Sequence, residues 1–235
     1  MAQLFIGIFL VNETLSFILG VLPVLLRGAL ITLQLTAIAT ALGSIGGIAI
    51  GIARLSKITP LRLLARAYVD FFRGTPLLVQ LFIIYFGVPS VLRSVGIDFT
   101  FSQWAAAIVG LSLNSAAYLS EIVRAGIQSI ETGQKEASES LGLGPNQTMR
   151  YVIFPQALRR MIPPLGNEFI TLLKDTSLVA VIGYQELFRQ GQLIIATTFR
   201  SFEILLTVAL IYLILNVIAS QAFSWLERKM NPTAS

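Results

Sequence analysis

Residues 202–225 read FEILLTVALIYLILNVIASQAFSW, an apolar run in which Glu203 is the one charged residue. About 20 consecutive residues of this kind cross the hydrocarbon core of a bilayer as a helix. Three more stretches pass the same test, and another is long enough but carries three charges. The sequence therefore predicts an all-α membrane protein with about five transmembrane helices. The other four predicted spans cover residues 28–53, 68–92, 104–127 and 162–182.

The composition of the whole chain agrees with a bilayer as its main solvent. Of its 235 residues, 55% are hydrophobic and 12% are charged, whereas a soluble domain is about 25% charged. Cysteine and histidine are both absent, which excludes disulfides, thiol chemistry, imidazole metal sites and histidine acid/base catalysis. We therefore expect no catalytic residue and no metal site. Transport is the favoured class of function, and the net charge of +5 is better explained by membrane topology than by binding to nucleic acid.

Basic residues are concentrated in alternate loops. The loop between the first two predicted spans has four of them and no acidic residue, so the positive-inside rule places it in the cytoplasm. The third loop and the C-terminal end add six, whereas the other two loops carry three. The N-terminus is thus predicted outside and the C-terminus inside. The ten inner basic residues are Arg54, Lys57, Arg62, Arg66, Lys135, Arg150, Arg159, Arg160, Arg228 and Lys229.

The first 27 residues are apolar but differ from a signal peptide. No basic residue precedes Arg27, so the positively charged n-region is missing. Asn12, Glu13 and Arg27 argue against a sixth span here, and such a span would invert every later loop. We predict three parts in the chain: an external or interfacial segment over residues 1–27, a transmembrane domain over 28–229 with a cytoplasmic loop over 128–160, and a tail over 230–235.

The inner loop has a pattern of its own. Residues 130–155 read IETGQKEASESLGLGPNQTMRYVIFP, a charged run in which Glu131 and Lys135 are spaced as a helical i,i+4 pair. Gly142 can adopt the positive φ that ends a helix, and Pro145 cannot continue it. The pattern predicts a helix-turn-helix against the inner face of the membrane. A plain solvated connector is the alternative interpretation.

This loop resembles the EAA loop of bacterial ABC importer permeases. Residues 136–155 carry E-A-S, three residues, Gly142, nine residues and then V-I-F-P. The family pattern is E-A-A, three residues, Gly, nine residues and I-x-L-P, so three positions show mild departures. The resemblance implies that the loop is a coupling helix that seats in a groove of a cytoplasmic ATPase. The residues assigned to ATPase coupling are Glu136, Ala137, Ser138, Gly142 and Pro155.

The flanking sequence is similar to one branch, the polar amino acid permeases of the histidine, arginine and glutamine importer group. The similarity covers about residues 26–227 and includes FRGTPL, EIVRAGI, GNEF and KDTSL. It implies the type I ABC importer permease fold and a multi-pass location in the bacterial inner membrane. It also implies import of polar amino acids into the cytoplasm. These four segments begin at Phe72, Glu121, Gly166 and Lys174.

The partners expected of the chain also follow from the resemblance. The chain has no G-x-x-x-x-G-K-[ST] phosphate loop, so it is a transporter subunit rather than an enzyme, and it binds no cofactor itself. ATP and Mg²⁺ would be bound by a separate ATPase dimer. The other implied partners are a second permease subunit, identical or different, an external solute-binding protein, the amino acid substrate and the lipid bilayer, without nucleic acid.

The charged stretch over residues 162–182 is the most unusual of the five. A charge at the centre of a span costs about 2.5–3.5 kcal/mol, whereas a Leu or Ile returns about 0.5 kcal/mol, so this helix should face protein or water rather than lipid. Glu168 and Asp175 lie on one stripe with Thr171 between them. Two acids on one stripe need a cation, which is either an arginine of the protein or part of the substrate. The arginines considered are Arg73 and Arg124.

Other spans contribute further polar candidates. Asn114 and Ser115 fall in the middle of the third span, and Thr75 precedes Pro76, which should kink the second. Helix–helix hydrogen bonding and a structural kink are the alternatives. We predict an importer of arginine, lysine or histidine, with glutamine as a further candidate. The alternative is a proton-coupled carrier or channel that uses Glu168 and Asp175, and a third hypothesis is a non-transporting membrane scaffold. The candidate substrate-binding residues are Glu168, Asn114, Ser115, Thr75, Thr171 and Asp175.

Overall fold

The structure, a computed structural model, describes residues 2–230, with side chains from residue 13 onward. Every secondary-structure element in this range is a helix, and short turns and loops connect them, which confirms the predicted all-α fold. Two π-helical turns cover Ile83–Gly87 and Thr148–Ile153, and a 3₁₀ helix covers Thr176–Ile182. The α-helices are α1 (Ala2–Arg54), α2 (Thr59–Gly74), α3 (Leu77–Phe82), α4 (Val88–Ser94), α5 (Gln103–Gln128), α6 (Thr132–Ser140), α7 (Pro145–Gln147), α8 (Phe154–Asp175), α9 (Leu187–Thr198) and α10 (Ser201–Met230).

Four helical stretches of the described chain are long and apolar enough to cross a membrane. Helix α8 is not one of them, although its 22 residues extend about 33 Å at 1.5 Å per residue. Its charges and the prolines Pro163 and Pro164 lower its hydropathy, as the sequence predicts for the fifth span. The four apolar stretches are Glu13–Arg54, Leu77–Ser94, Gln103–Gln128 and Ser201–Met230.

Helix α1 is far longer than one bilayer crossing requires. Its 53 residues extend about 80 Å, against a hydrocarbon core of about 30 Å. The helix passes through Arg27 without a break, so residues 2–27 of the predicted N-terminal segment are continuous with the helix of the first span. The position of that segment relative to the membrane stays a prediction.

The second span is broken rather than kinked. Helix α2 ends at Gly74, Thr75 is extended with φ −121° and ψ 148°, and α3 starts at Leu77. The prediction of one continuous span over residues 68–92 is therefore wrong. Pro76 explains the break, because its ring disfavours helical geometry at the preceding residue and it has no N–H to donate.

The main helix–helix contact joins α1 to α5 along a stripe of small residues. Gly43, Gly47 and Gly51 recur every four residues on α1, and each meets α5 without room for a side chain. A Cβ added at Gly47 would lie 2.6 Å from the Cβ of Leu119. Small residues at this spacing let membrane helices approach closely, so the stripe sets the distance between α1 and α5.

Replacing Gly47 with Ala should destabilise the protein by about 1–3 kcal/mol, the usual cost of overpacking. Gly20 lies on the same helix with no atom within 4 Å of an added Cβ, so Gly20→Ala is the matched control. Both changes gain the same helix propensity. Thermal unfolding in detergent should show a lower midpoint for Gly47→Ala only. An equal midpoint for the two variants would show that the glycine stripe does not determine the packing of α1 against α5.

A buried carboxylate fixes α9 against the spans. The side chain of Glu186 is fully buried and accepts hydrogen bonds from the backbone N–H groups of Phe188, at 2.9 Å, and Arg189, at 2.8 Å. It also accepts from the hydroxyls of Tyr212, at 2.7 Å, and Thr32, at 3.3 Å. These four donors compensate its desolvation and tie α9 to α1 and α10.

Candidate functional site

The inner loop forms a sharply terminated helix followed by a second arm. Gly142 has φ +81°, its N–H donates to the carbonyl of Glu139 at 2.9 Å, and the N–H of Leu143 donates to the carbonyl of Ser138 at 3.1 Å. This pair of bonds is the Schellman arrangement, which places a left-handed residue after the helix end. The predicted helix stop at Gly142 is confirmed.

A buried hydroxyl pair joins the two arms of the loop. Ser138 is buried, and its Oγ lies 3.0 Å from Oγ1 of Thr148 and 2.7 Å from the carbonyl oxygen of Lys135. Lys135 pairs with Glu139 at 3.8 Å instead of with Glu131. Glu131 precedes the first helical residue of α6 and has φ −57° and ψ 136°, so it is outside the helical register that the predicted pair requires.

The tip of this loop presents an apolar side chain to solvent. Leu141 is 83% exposed, and Glu136, Ala137 and Pro155 are also exposed. The rigid stop at Gly142 holds that side chain outward. The sequence analysis did not single out this residue.

A cluster of charges lies near the C-terminal end of α5. Glu121 forms ion pairs with Arg54 of α1 and Arg124 of its own helix, and it lies 3.8 Å from Arg73 of α2. Three helices are therefore joined at one carboxylate. Arg73 and Arg124, which were considered as partners of the α8 acids, are both engaged here.

Glu168 has no such partner. It is half-buried, and no Lys or Arg of the described residues lies within 4.0 Å of its carboxylate. Asp175 and Arg73 are close enough to act on it electrostatically. Gly166 packs directly on Phe223 of α10, and a residue two positions further points about 200° away, so Glu168 faces away from α10.

The stripe that begins at Glu168 continues along α8. Thr171 is exposed and Asp175 is half-buried, and, like Glu168, Asp175 has no salt-bridge partner within 4.0 Å in the described part of the chain. Leu172, on the neighbouring face, packs in the same apolar cluster as Leu77 at the start of α3. The acidic stripe and the break of the second span therefore lie near each other.

A hydrogen-bond network of two side-chain amides spans the break between α2 and α3. Asn114 donates to Oε1 of Gln80 at 2.9 Å, and the Gln80 amide nitrogen lies 2.8 Å from the carbonyl of Phe72 and 2.9 Å from Oγ1 of Thr75. Asn114 is near the middle of the 26-residue helix α5, which puts the network at mid-height of the span. The structure thus brings two predicted site residues together through Gln80. A glutamine inside an apolar span is the signal that would have identified it.

Ser115 lies apart from that network. Its Oγ is buried, has no hydrogen-bond partner among the described residues, and would lie 2.7 Å from a Cβ added at Gly43. This position belongs to the α1–α5 contact. The described residues also contain no group of three or more Asp, Glu, His or Cys side chains placed to hold a metal ion.

Comparison with known families places most of the chain in one group. Residues 43–232 match the model of the family described as binding-protein-dependent transport system inner membrane component. The glutamine transport system permease protein GlnP of Escherichia coli K12 is 43% identical over 215 residues, which is 92% of this chain and 96% of that protein. The arginine transport system permease protein ArtQ of Bacillus subtilis is 39% identical over 219 residues, 93% and 98% of the two chains.

Solved structures give the same result. The chain resembles a subunit in the crystal structure of an amino acid ABC transporter with histidines, with a TM-score of 0.84 and 40% sequence identity. The match covers 91% of this chain and 97% of the other. The predicted type I importer permease fold is confirmed.

Proposed function

This chain belongs to the family of binding-protein-dependent transport system inner membrane components, and we propose that, as the permease subunit of an amino acid ABC transporter, it carries cationic amino acids. The family works with an ATPase and a substrate-binding protein. The chain is therefore a multi-pass inner-membrane transport subunit and not an enzyme.

One observation supports the cationic substrate, namely the pair of acids on α8 without a cation in salt-bridge distance in the described chain. A carboxylate at this depth is costly unless a positive group compensates it. The side chains of arginine, lysine and histidine can supply that charge, and a guanidinium matches a carboxylate with two parallel hydrogen bonds. We place the substrate side chain at Glu168, with Thr171 and Asp175 on the same stripe.

The break in the second span supplies the other end of the proposed site. Thr75 and Asn114 lie there, held by Gln80, and discontinuous helices near mid-membrane are where transporters commonly bind substrate. We propose that these residues contact the α-amino and α-carboxylate groups, with Ser115 behind them against α1. The test is to compare how strongly arginine, lysine, histidine and glutamine each stimulate ATP hydrolysis in one reconstituted preparation. Each of the three basic amino acids should stimulate it more than glutamine does.

We further propose that the inner loop is the coupling helix. Its support is the rigid stop at Gly142, the Ser138–Thr148 contact and the exposed Leu141. An ATPase groove that holds this tip would transmit closure of the ATPase dimer through α8 to the acidic stripe. The proposed assembly contains two permease subunits, two ATPases and one external binding protein.

The proposed orientation can be tested because the chain has no cysteine. Thr59 is the first residue of α2 and Ser94 is the last residue of α4, and both are exposed. With the N-terminus outside, an impermeant thiol reagent should label Ser94→Cys in intact spheroplasts and Thr59→Cys only after lysis. Labelling of Thr59→Cys alone in intact spheroplasts would show that the topology is the inverse of the proposed one.

A further inference from the structure

A groove lies beside the inner end of α1, away from the proposed substrate site. Its volume is about 570 Å³, within the range of about 300–1,000 Å³ that small-molecule pockets have. Nearly all of its lining is aliphatic or aromatic, and it is formed by α1, the start of α2, α5 and the inner loop. The side chains that define it include Ile48, Ile52, Leu61, Ile127, Met149 and Phe154.

Basic residues adjoin the lining residues of this groove, and we take them as its rim. Lys57 directly follows the lining residue Ser56, and Arg150 directly follows Met149. Arg62 folds back over the same turn and donates to the carbonyl of Ser56 at 3.2 Å. None of these three cations has a carboxylate within 4.0 Å among the described residues, whereas Arg54 beside them is paired with Glu121.

We propose that this groove binds one acyl chain of an anionic phospholipid of the inner leaflet, with the lipid phosphate on Lys57 and Arg150. An apolar groove with a cationic rim at the membrane–cytoplasm boundary has the chemistry of such a lipid, because the tail buries apolar surface and the headgroup neutralises the unpaired cations. The placement in the inner leaflet rests on the orientation proposed above. Since Met149 and Phe154 belong to the arm that follows the coupling helix, the lipid would contact the element through which the ATPase acts.

The test uses the complete permease–ATPase complex and dioleoylphosphatidylglycerol, with dioleoylphosphatidylcholine as the neutral comparison. Native mass spectrometry of the complex with increasing lipid should show one preferentially retained phosphatidylglycerol per permease subunit. Removing both rim cations with Lys57→Gln and Arg150→Gln should weaken that retention by roughly 25-fold, about fivefold for each cation. The charge-matched control is Arg228→Gln with Lys229→Gln at the end of α10, which should leave retention unchanged.

Filling the groove tests the tail independently of the headgroup. Ala49 lines the groove and is exposed, so Ala49→Phe should abolish retention, whereas Ala209→Phe on the exposed face of α10 should not. Equal retention of the two lipids, equal loss in the two double variants, or full retention in Ala49→Phe would overturn the proposal. A disulfide between two Ala49→Cys copies would also overturn it, because a second copy of the chain would then cover the groove.

Discussion

Replacement of Glu168 by Gln is expected to lower the apparent affinity of the transporter for arginine by about 30-fold or more while glutamine is still recognised. Leaving a buried cation without its carboxylate costs about 2–5 kcal/mol, and 2 kcal/mol corresponds to about a 30-fold change. A neutral amide at this position still accepts a hydrogen bond, so a neutral substrate loses less. The measurement is uptake and substrate-stimulated ATP hydrolysis across a concentration series of each amino acid.

Folding should survive this substitution, which makes the result interpretable. Glu168 has no salt-bridge partner in the described chain, so its neutralisation breaks no internal ion pair. Glu203→Gln, at the start of α10, is the matched control and should behave as the wild type. Equal loss for arginine and glutamine would make Glu168 a structural residue, and no change for either would place the substrate elsewhere.

Replacement of Gly142 by Val is expected to uncouple ATP hydrolysis from substrate. No atom lies within 4 Å of an added Cβ at this position, so the effect comes from φ +81° alone. A left-handed conformation costs an L-residue about 1–2 kcal/mol, which lowers the ratio of the native loop conformation to all others about 5- to 30-fold. Basal ATPase activity should remain, and its stimulation by loaded binding protein should fall, with that factor as the upper bound.

The control for backbone strain is Gly96→Val. Gly96 has φ +85° and open space around its Cβ position, but it lies in the loop after α4, far along the chain from the coupling helix. This variant should show the same loss of stability with normal stimulation. Equal uncoupling in both variants, or normal coupling in Gly142→Val, would show that the inner loop does not couple the ATPase to transport.

The elements that composition controls could be read from the sequence. A bilayer requires long apolar helices, so the spans over residues 28–53, 104–127 and 202–225 coincide with helical structure. The stop at Gly142 was equally predictable, because a glycine after a helical run has a specific backbone role. Pro76 likewise marks a disruption of the second span, but the sequence predicts a kink where the structure has a break, because proline removes one helical hydrogen bond and the surrounding packing decides whether the helix continues.

The features that the sequence did not predict depend on contacts between positions far apart in the chain. Glu186 meets Thr32 across 154 positions and Tyr212 across 26, and no local pattern announces either partner. Arg73 and Arg124, the arginines predicted as partners of Glu168, lie within 4.0 Å of the Glu121 carboxylate and not of Glu168, because the rotation of each helix decides which charges meet. The stripe of Gly43, Gly47 and Gly51 differs from these cases, because its four-residue spacing is visible in the sequence and was available as a signal.

Uptake of labelled arginine into liposomes that contain the purified complex tests whether this chain imports amino acids at the expense of ATP. The predicted result is accumulation that requires ATP, the separate ATPase subunits and the loaded binding protein together, with none when any one is omitted. The control is the same chain alone under an imposed proton gradient, where no uptake is expected. Proton-driven uptake by this chain without an ATPase, abolished by Glu168→Gln and Asp175→Asn, would contradict the account and support a proton-coupled carrier instead.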